Sequence, residues 1–304
     1  AEIMYINRYS EVFNKKSQNF RLQKLNPSLI LAKKYGNLLH LAPEGYGIGN
    51  NRNYYFAHMI NCVFDCRYCF LQGMFNSANF VVFVNYEDFF RQIEKIIKRF
   101  PSDKITFFSG YDCDSLASES TTGFISEALK FFKNLNNAEL EIRTKSTFIE
   151  PLLDNFIENG VVAYSLTPQK ISSKFEIGVP DIEKRLRSII RLANLGWKIG
   201  LRFDPIIYFR DWSQTYNRFF EYIFKNIPEK AIHSVTYGSI RYPNKVYKNI
   251  VKLFPEEELF FHNMEVKKNH TGYSKQMEDE IELFVNESIS NFIPQEKLYH
   301  CFNS

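Results

Sequence analysis

The chain has 304 residues, enough for one large domain or two modest ones, and 45% of them are apolar. Lys and Arg outnumber Asp and Glu by 38 to 34, a surplus too small to argue by itself for a nucleic-acid partner. No run approaches the eighteen or more apolar residues of a membrane span, and no signal-peptide pattern opens the chain, so a soluble, cytoplasmic protein without a membrane partner is expected. The five cysteines are odd in number and three of them are clustered, which argues against a secreted disulfide framework.

Residues 1–51 show weak periodicity and several basic positions, and read as an N-terminal extension. The glycines of Pro43-Glu-Gly-Tyr-Gly-Ile-Gly49 are not followed by a helical pattern, so they read as a plain loop rather than a phosphate cradle. Tyr54–Ile60 reads as a strand, Tyr86–Phe100 as a helix and Lys104–Ser109 as a strand. Helix over 121–135, strand over 140–144, and helix over 149–159 stopped by Gly160 follow. The alternation continues with strand 161–166, helix 181–195, strand 198–203, helix 212–225 and strand 233–238. From Asn244 a helix, a polar stretch at 267–272 and a long helix over 274–292 complete the pattern, a C-terminal helical extension over 244–304. Strand–helix units recurring about every 35 residues across 52–243 predict an α/β fold with a parallel sheet, a partial (β/α)6 barrel of the TIM type. Ligand sites in such sheets lie at the carboxyl ends of the strands.

Directly after the first core strand come Cys62, Cys66 and Cys69, spaced C-x3-C-x2-C. Three thiolates on one loop can each hold one iron of a [4Fe–4S] cluster and leave the fourth iron open to a small molecule, whereas electron-transfer clusters usually close all four corners. Zinc with His58 as a fourth ligand is the competing reading. Structural zinc sites, however, usually split their ligands into two separated knuckles, and Cys113 and Cys301 are isolated.

The cysteine spacing, with Tyr68 just before the last cysteine, resembles the signature of the radical S-adenosylmethionine (SAM) superfamily. In that superfamily SAM chelates the open iron and is split to a 5′-deoxyadenosyl radical. Within it, Arg67-Tyr-Cys-Phe-Leu-Gln72 and Phe83-Val-Asn-Tyr-Glu-Asp88 resemble segments of the spore photoproduct lyases. So do Arg143-Thr-Lys145, Tyr164-Ser165, Leu195-Gly196, Pro205-Ile206, Trp212 and Arg241, in the same order, and the likeness runs over roughly residues 54–283. The resemblance implies a lyase that abstracts hydrogen from a crosslinked thymine dimer in DNA, with a [4Fe–4S] cluster and SAM as cofactors and a flavodoxin- or ferredoxin-type reductant as partner. It implies Cys62, Cys66 and Cys69 as cluster ligands, and Tyr68, Asp114, Lys145 and Ser165 around SAM. Lys145 is suited to a SAM carboxylate or ribose, or is a solvated charge. Arg241 would meet a substrate phosphate, or form an ion pair.

Two positions depart from the family pattern. The lyases carry a hydrogen-returning cysteine where this chain has Tyr111, and a tyrosine where it has Phe70. Cys113 is the nearest thiol; if the strand runs on from Ser109, positions 109, 111 and 113 share a face, and either Tyr111 or Cys113 would point inward. A thiol gives up hydrogen more readily than a phenol, which favours Cys113, and a buried structural cysteine is the plainer alternative. The departures also admit a radical SAM enzyme acting on RNA, a peptide or a small metabolite.

Overall fold

The computed structural model describes residues 2–261 and 264–301. Its centre is an eight-stranded sheet whose strands are β1 (His40–Leu41), β2 (Arg52–Tyr55), β3 (Ile105–Ser109), β4 (Ala138–Thr144), β5 (Gly160–Ser165), β6 (Lys198–Ile206), β7 (Ile232–Ser239) and β8 (Leu298–His300). They lie side by side in chain order from β1 to β8. Strands β2 to β8 pair in parallel, and β1 runs antiparallel at the edge. Six of the parallel strands are the expected units of a partial barrel. The helices Tyr86–Arg99, Phe124–Phe132, Ile182–Asn194 and Trp212–Asn226 cover its outside. Every residue of β3 and of β5 is buried, as befits parallel strands covered on both faces. No helix is long and apolar enough to cross a membrane among the described residues.

Alternation along β4 sends Leu140 and Ile142 into the apolar layer under the helices and Glu141 and Arg143 toward the barrel interior, where Arg202 meets them. Arg202 and Glu141 are both fully buried and joined at 2.6 Å, and Arg202 also donates to the carbonyl and hydroxyl of Ser234. At this level the barrel interior is polar, with Glu141 hydrogen-bonded to both Arg143 and Arg202.

Local rules account for the differences from expectation. The strand expected over 54–60 stops at Tyr55; Met59–Ile60 instead joins Phe80–Phe83 and Leu29–Ala32 in a small separate sheet. Gly123, at φ +61°, splits the helix expected over 121–135, and the carboxylate of Glu119 caps the second piece by accepting from Ile125 N and Ser126 N. The helix expected over 149–159 is one turn, Glu150–Leu153, and Gly160 opens a strand rather than closing a helix. Gly160 is needed for a different reason: a Cβ there would lie 2.5 Å from the ring of Trp197. The polar stretch 267–272 contains the turn of a hairpin, Met264–Val266 with His270–Tyr273. The helix Gln169–Phe175 and strand β8 were not anticipated.

The glycine-rich loop spans the half-barrel from side to side. Asn50 donates to Thr106 Oγ1 at 2.8 Å near one edge, and Tyr46 accepts from Arg241 Nε at 2.9 Å near the other. Gly49 adopts φ +97°, and a Cβ there would stand 2.6 Å from the Tyr299 hydroxyl of β8. Gly49→Ala should therefore cost about 1–3 kcal/mol in urea denaturation, from backbone strain and the displaced tyrosine.

Candidate active site

The cysteine loop is shaped from three directions. Asn61 enters it in the left-handed region at φ +67°, and its side-chain amide donates to the carbonyls of Ser77 and Asn79. Asp65–Cys66 forms two residues of antiparallel strand against Glu176–Ile177, and Arg67 N donates to Phe175 O at 2.8 Å. From the N-terminal segment, the short helix Phe20–Leu25 sends Lys24 Nζ to the carbonyls of Cys62, at 2.6 Å, and Phe64, at 3.1 Å. Arg21 and Arg67 both pair with Asp65, which also accepts from Gln72.

Beneath the loop lies a buried charge cluster that the sequence reading did not identify. Glu176 accepts hydrogen bonds from the phenol of Tyr68, from Ser172 Oγ at 2.7 Å and from Arg185, and Lys145 Nζ stands 3.9 Å away. Burial alone would raise the Glu176 carboxyl, but Lys145 and Arg185 hold it below its ordinary value. Arg185 is itself fully buried. Tyr242 donates to the carbonyl of Tyr68, so that residue is fixed at both its ring and its backbone.

The three cysteines open on one cavity of about 510 Å³ that is also lined by Tyr68, Asp114, Lys145, Ser165, Tyr111, Cys113 and Arg241. All the site residues expected from the sequence thus meet in one place. Their surroundings differ. Asp114 is engaged with its own loop: its carboxylate accepts from Leu116 N, Ala117 N, Thr144 Oγ1 and Lys145 N. It fixes where Lys145 leaves the strand. Lys145 is half-buried, 3.9 Å from Glu176 and 5.5 Å above the Tyr68 ring, with its side chain 17% exposed. Arg241 forms the ion pair: its two Nη atoms reach the two oxygens of Asp204 at 3.2 Å each, and it also donates to Tyr46 and Ser239 O.

Strand β3 ends at Ser109 and Gly110 turns at φ +73°, so the extended alternation expected through 113 is absent. Tyr111 and Cys113 consequently face different neighbours. Tyr111 stacks on Tyr55 with ring centres 4.1 Å apart and tilts against Phe70 at 5.7 Å. Burial and the nearby Tyr55 and Asp112 push its phenol up to about 12, which keeps the O–H in place. Cys113 is half-buried near Cys62, and its sulfur accepts from the backbone N–H of Met59.

The cysteines fit an iron–sulfur cluster. Burial pushes their thiols upward, Cys62 to about 12, and the backbone N–H groups of Phe64 and Leu71 point at the sulfurs of Cys62 and Cys69. Such N–H donors suit metal-bound thiolate. Among the described residues no three His, Cys, Asp or Glu side chains converge on a single ion position. A cubane, which takes one thiolate at each of three separate irons, needs no such convergence. His58 lies outside the cavity, stacked on Phe124 at 4.2 Å, where burial and Lys34 lower its ring to about 3.

The residues missed from sequence are Lys24, Arg21, Glu176 and Arg185. Lys24 and Arg21 stand three apart, the spacing of neighbours on one helix face, but in a helix too short for periodicity to announce. Glu176→Gln should destabilise the protein by about 3 kcal/mol or more in urea denaturation, because it leaves Arg185 buried without a counter-charge. Lys174→Ala, an exposed change on the adjacent helix, should stay within about 0.5 kcal/mol.

Comparison with known proteins agrees with this geometry. The profile of the spore photoproduct lyase family matches residues 51–301. The chain is 25% identical over 203 residues to the spore photoproduct lyase of Bacillus subtilis, and likewise to that of a Geobacillus strain; each match covers 65% of this chain and 59% of the relative. The chain thus spans about three fifths of the length of these relatives. Among solved structures, a spore photoproduct lyase double mutant with bound AdoMet and dinucleoside spore photoproduct superposes with a TM-score of 0.77 at 19% identity. That superposition covers 91% of this chain and 82% of the other and shows a shared fold. By the family match over most of its length, with the three cysteines of the signature gathered at the mouth of a partial barrel, the chain belongs to the spore photoproduct lyase family.

Proposed function

We propose that the protein is a radical SAM lyase that reverses a thymine-derived crosslink in DNA. The observation that carries this reading is a single cavity lined by the three cysteines and Lys145 and also by the rings of Tyr55, Tyr111 and Phe108 and the guanidinium of Arg143. A [4Fe–4S] cluster on Cys62, Cys66 and Cys69, with SAM at its open iron, would supply a 5′-deoxyadenosyl radical when bound. Lys145 would meet the SAM carboxylate or ribose, its backbone held by the Asp114 carboxylate that accepts its N–H. Ser165 and Tyr68 line the same cavity and would border SAM there. A related structure with AdoMet and a dinucleoside photoproduct bound together supports the pairing of these ligands in this fold.

Hydrogen return falls to Tyr111 in this reading. Tyr111 stacks in the wall that would face splayed bases, whereas Cys113 is tucked beside Cys62. The thymine-centred radical takes the hydrogen atom of the Tyr111 phenol, leaving a phenoxyl stacked on Tyr55. One electron from a flavodoxin- or ferredoxin-type reductant and one proton from solvent then restore the phenol. Damaged bases must leave the helix to enter the cavity, at a cost of a few kcal/mol.

Anaerobically reconstituted protein should be brown, and Cys66→Ala should lose the colour and bound iron. With SAM, dithionite and DNA carrying the photoproduct, the wild type should release thymine pairs. Tyr111→Phe should lower that yield about tenfold or more while SAM cleavage continues, equivalent to at least 1.4 kcal/mol on the return step, and Cys113→Ala should stay near wild type. Cluster-loaded protein that cleaves SAM but never restores thymine would overturn the lesion reading; the reverse order of the two variants would move hydrogen return to Cys113.

A further inference from the structure

We infer that Arg143 anchors an anionic group of the substrate inside the barrel, and that this group is the phosphate joining the two damaged nucleotides; the identity of the ligand rests on the lesion-reversal reading, the anion site does not. Charge bookkeeping in the interior comes first. Glu141 is the shared partner of two guanidiniums: its Oε1 accepts from Arg143 Nε at 3.1 Å and Nη2 at 2.9 Å, and its Oε2 accepts from Arg202 Nη2 at 2.6 Å. One carboxylate between two arginines leaves one positive charge unbalanced.

That surplus falls on Arg143. Arg202 is fully buried and its remaining donors are taken by Ser234 and by Leu201 O. The Arg143 side chain is 38% exposed, lines the cavity, and among the described residues its Nη1 has no hydrogen-bond partner. Of the other cations of the cavity wall, Arg241 is engaged by Asp204 and Tyr46 and Lys24 by the carbonyls of Cys62 and Phe64, while Lys145 stands 3.9 Å from Glu176. Arg143 thus offers an edge of a planar fork, the geometry that matches phosphate oxygens.

Its position selects the ligand. Lys145 has Cys66, Glu176 and Cys69 for neighbours and serves the cofactor end. Arg143 has Glu141, Cys301 and Asp204 for neighbours, none of them a residue of the cysteine loop. Its guanidinium lies 6.0 Å from the centre of the Phe108 ring, near the stacked Tyr55–Tyr111 pair. Stacking rings beside a cation form the combination that holds an unstacked base and its phosphate together.

The test measures affinities of cluster-loaded, SAM-bound protein for the dinucleoside photoproduct and for the same photoproduct carrying its internucleoside phosphate. Wild type should bind the phosphate form about tenfold tighter or more, as a charge-assisted contact provides. Arg143→Gln should bring the two within about twofold and leave SAM affinity unchanged, with Arg143→Lys between them. The glutamine variant keeps Glu141 paired with Arg202, and equal urea midpoints would verify its fold. A phosphate preference that survives in Arg143→Gln, or is absent from wild type, overturns the inference, as does a variant that loses SAM affinity instead. If neither photoproduct binds, the lesion reading fails separately. Inorganic phosphate, followed by phosphorus NMR, then decides the site: saturable binding lost in Arg143→Gln upholds it, and binding indifferent to Arg143 overturns it.

Discussion

The buried carboxylate of Glu176 is the constraint on which the cysteine loop depends. Its backbone pairs with Cys66 and its side chain holds the Tyr68 ring, so one residue fixes the chain on both sides of Arg67. A carboxylate out of water is costly unless paired and hydrogen-bonded. Here Arg185, Ser172 and Tyr68 satisfy it directly, and Lys145 stands beside it. The same group therefore sets the shape of the loop and draws Lys145 toward it, so cluster and cofactor sides of the cavity are held in one register.

Around that centre the cavity divides by chemistry. The side nearest the cysteines is lined by groups that are rigidly engaged: Asp114 spends its oxygens on its loop, and Lys24 spends its protons on the carbonyls of Cys62 and Phe64. The rest of the lining includes the stacked rings of Tyr55 and Tyr111 and the guanidiniums of Arg143 and Arg241. Tyr111 is held between Tyr55, on which it stacks, and Phe70 of the cysteine loop, which has no hydroxyl.

Much of this was legible in the chain. Parallel strands buried on both faces produce dense apolar runs, and amphipathic helices such as Tyr86–Arg99 announce themselves by their spacing. The cysteine spacing is chemistry written in consecutive residues, so it needed no fold to be read. What stayed hidden depends on contacts between distant segments. Strand β8 has three residues and no periodicity of its own, and is a strand because β7 offers an open edge. Glu176 and Arg185 look like surface charges until the fold buries them together. Tyr111 and Cys113 were expected on one face because alternation was extended past Ser109, and Gly110 ends it. Gly160 was misread because a glycine that stops a helix and one that makes room for Trp197 look alike in sequence.

The contact between Tyr46 and Arg241 joins residues 195 apart. While the chain is being made, the cysteine loop and the first strands leave the ribosome long before the residue that completes the opposite wall. Contacts of such separation form late, because loop closure must be met before they add stability. Before that contact forms, the cavity lacks the part of its wall that Arg241 provides. Pairing of β8 on β7, and the Tyr46–Arg241 contact beyond it, complete the cavity from the C-terminal part of the chain.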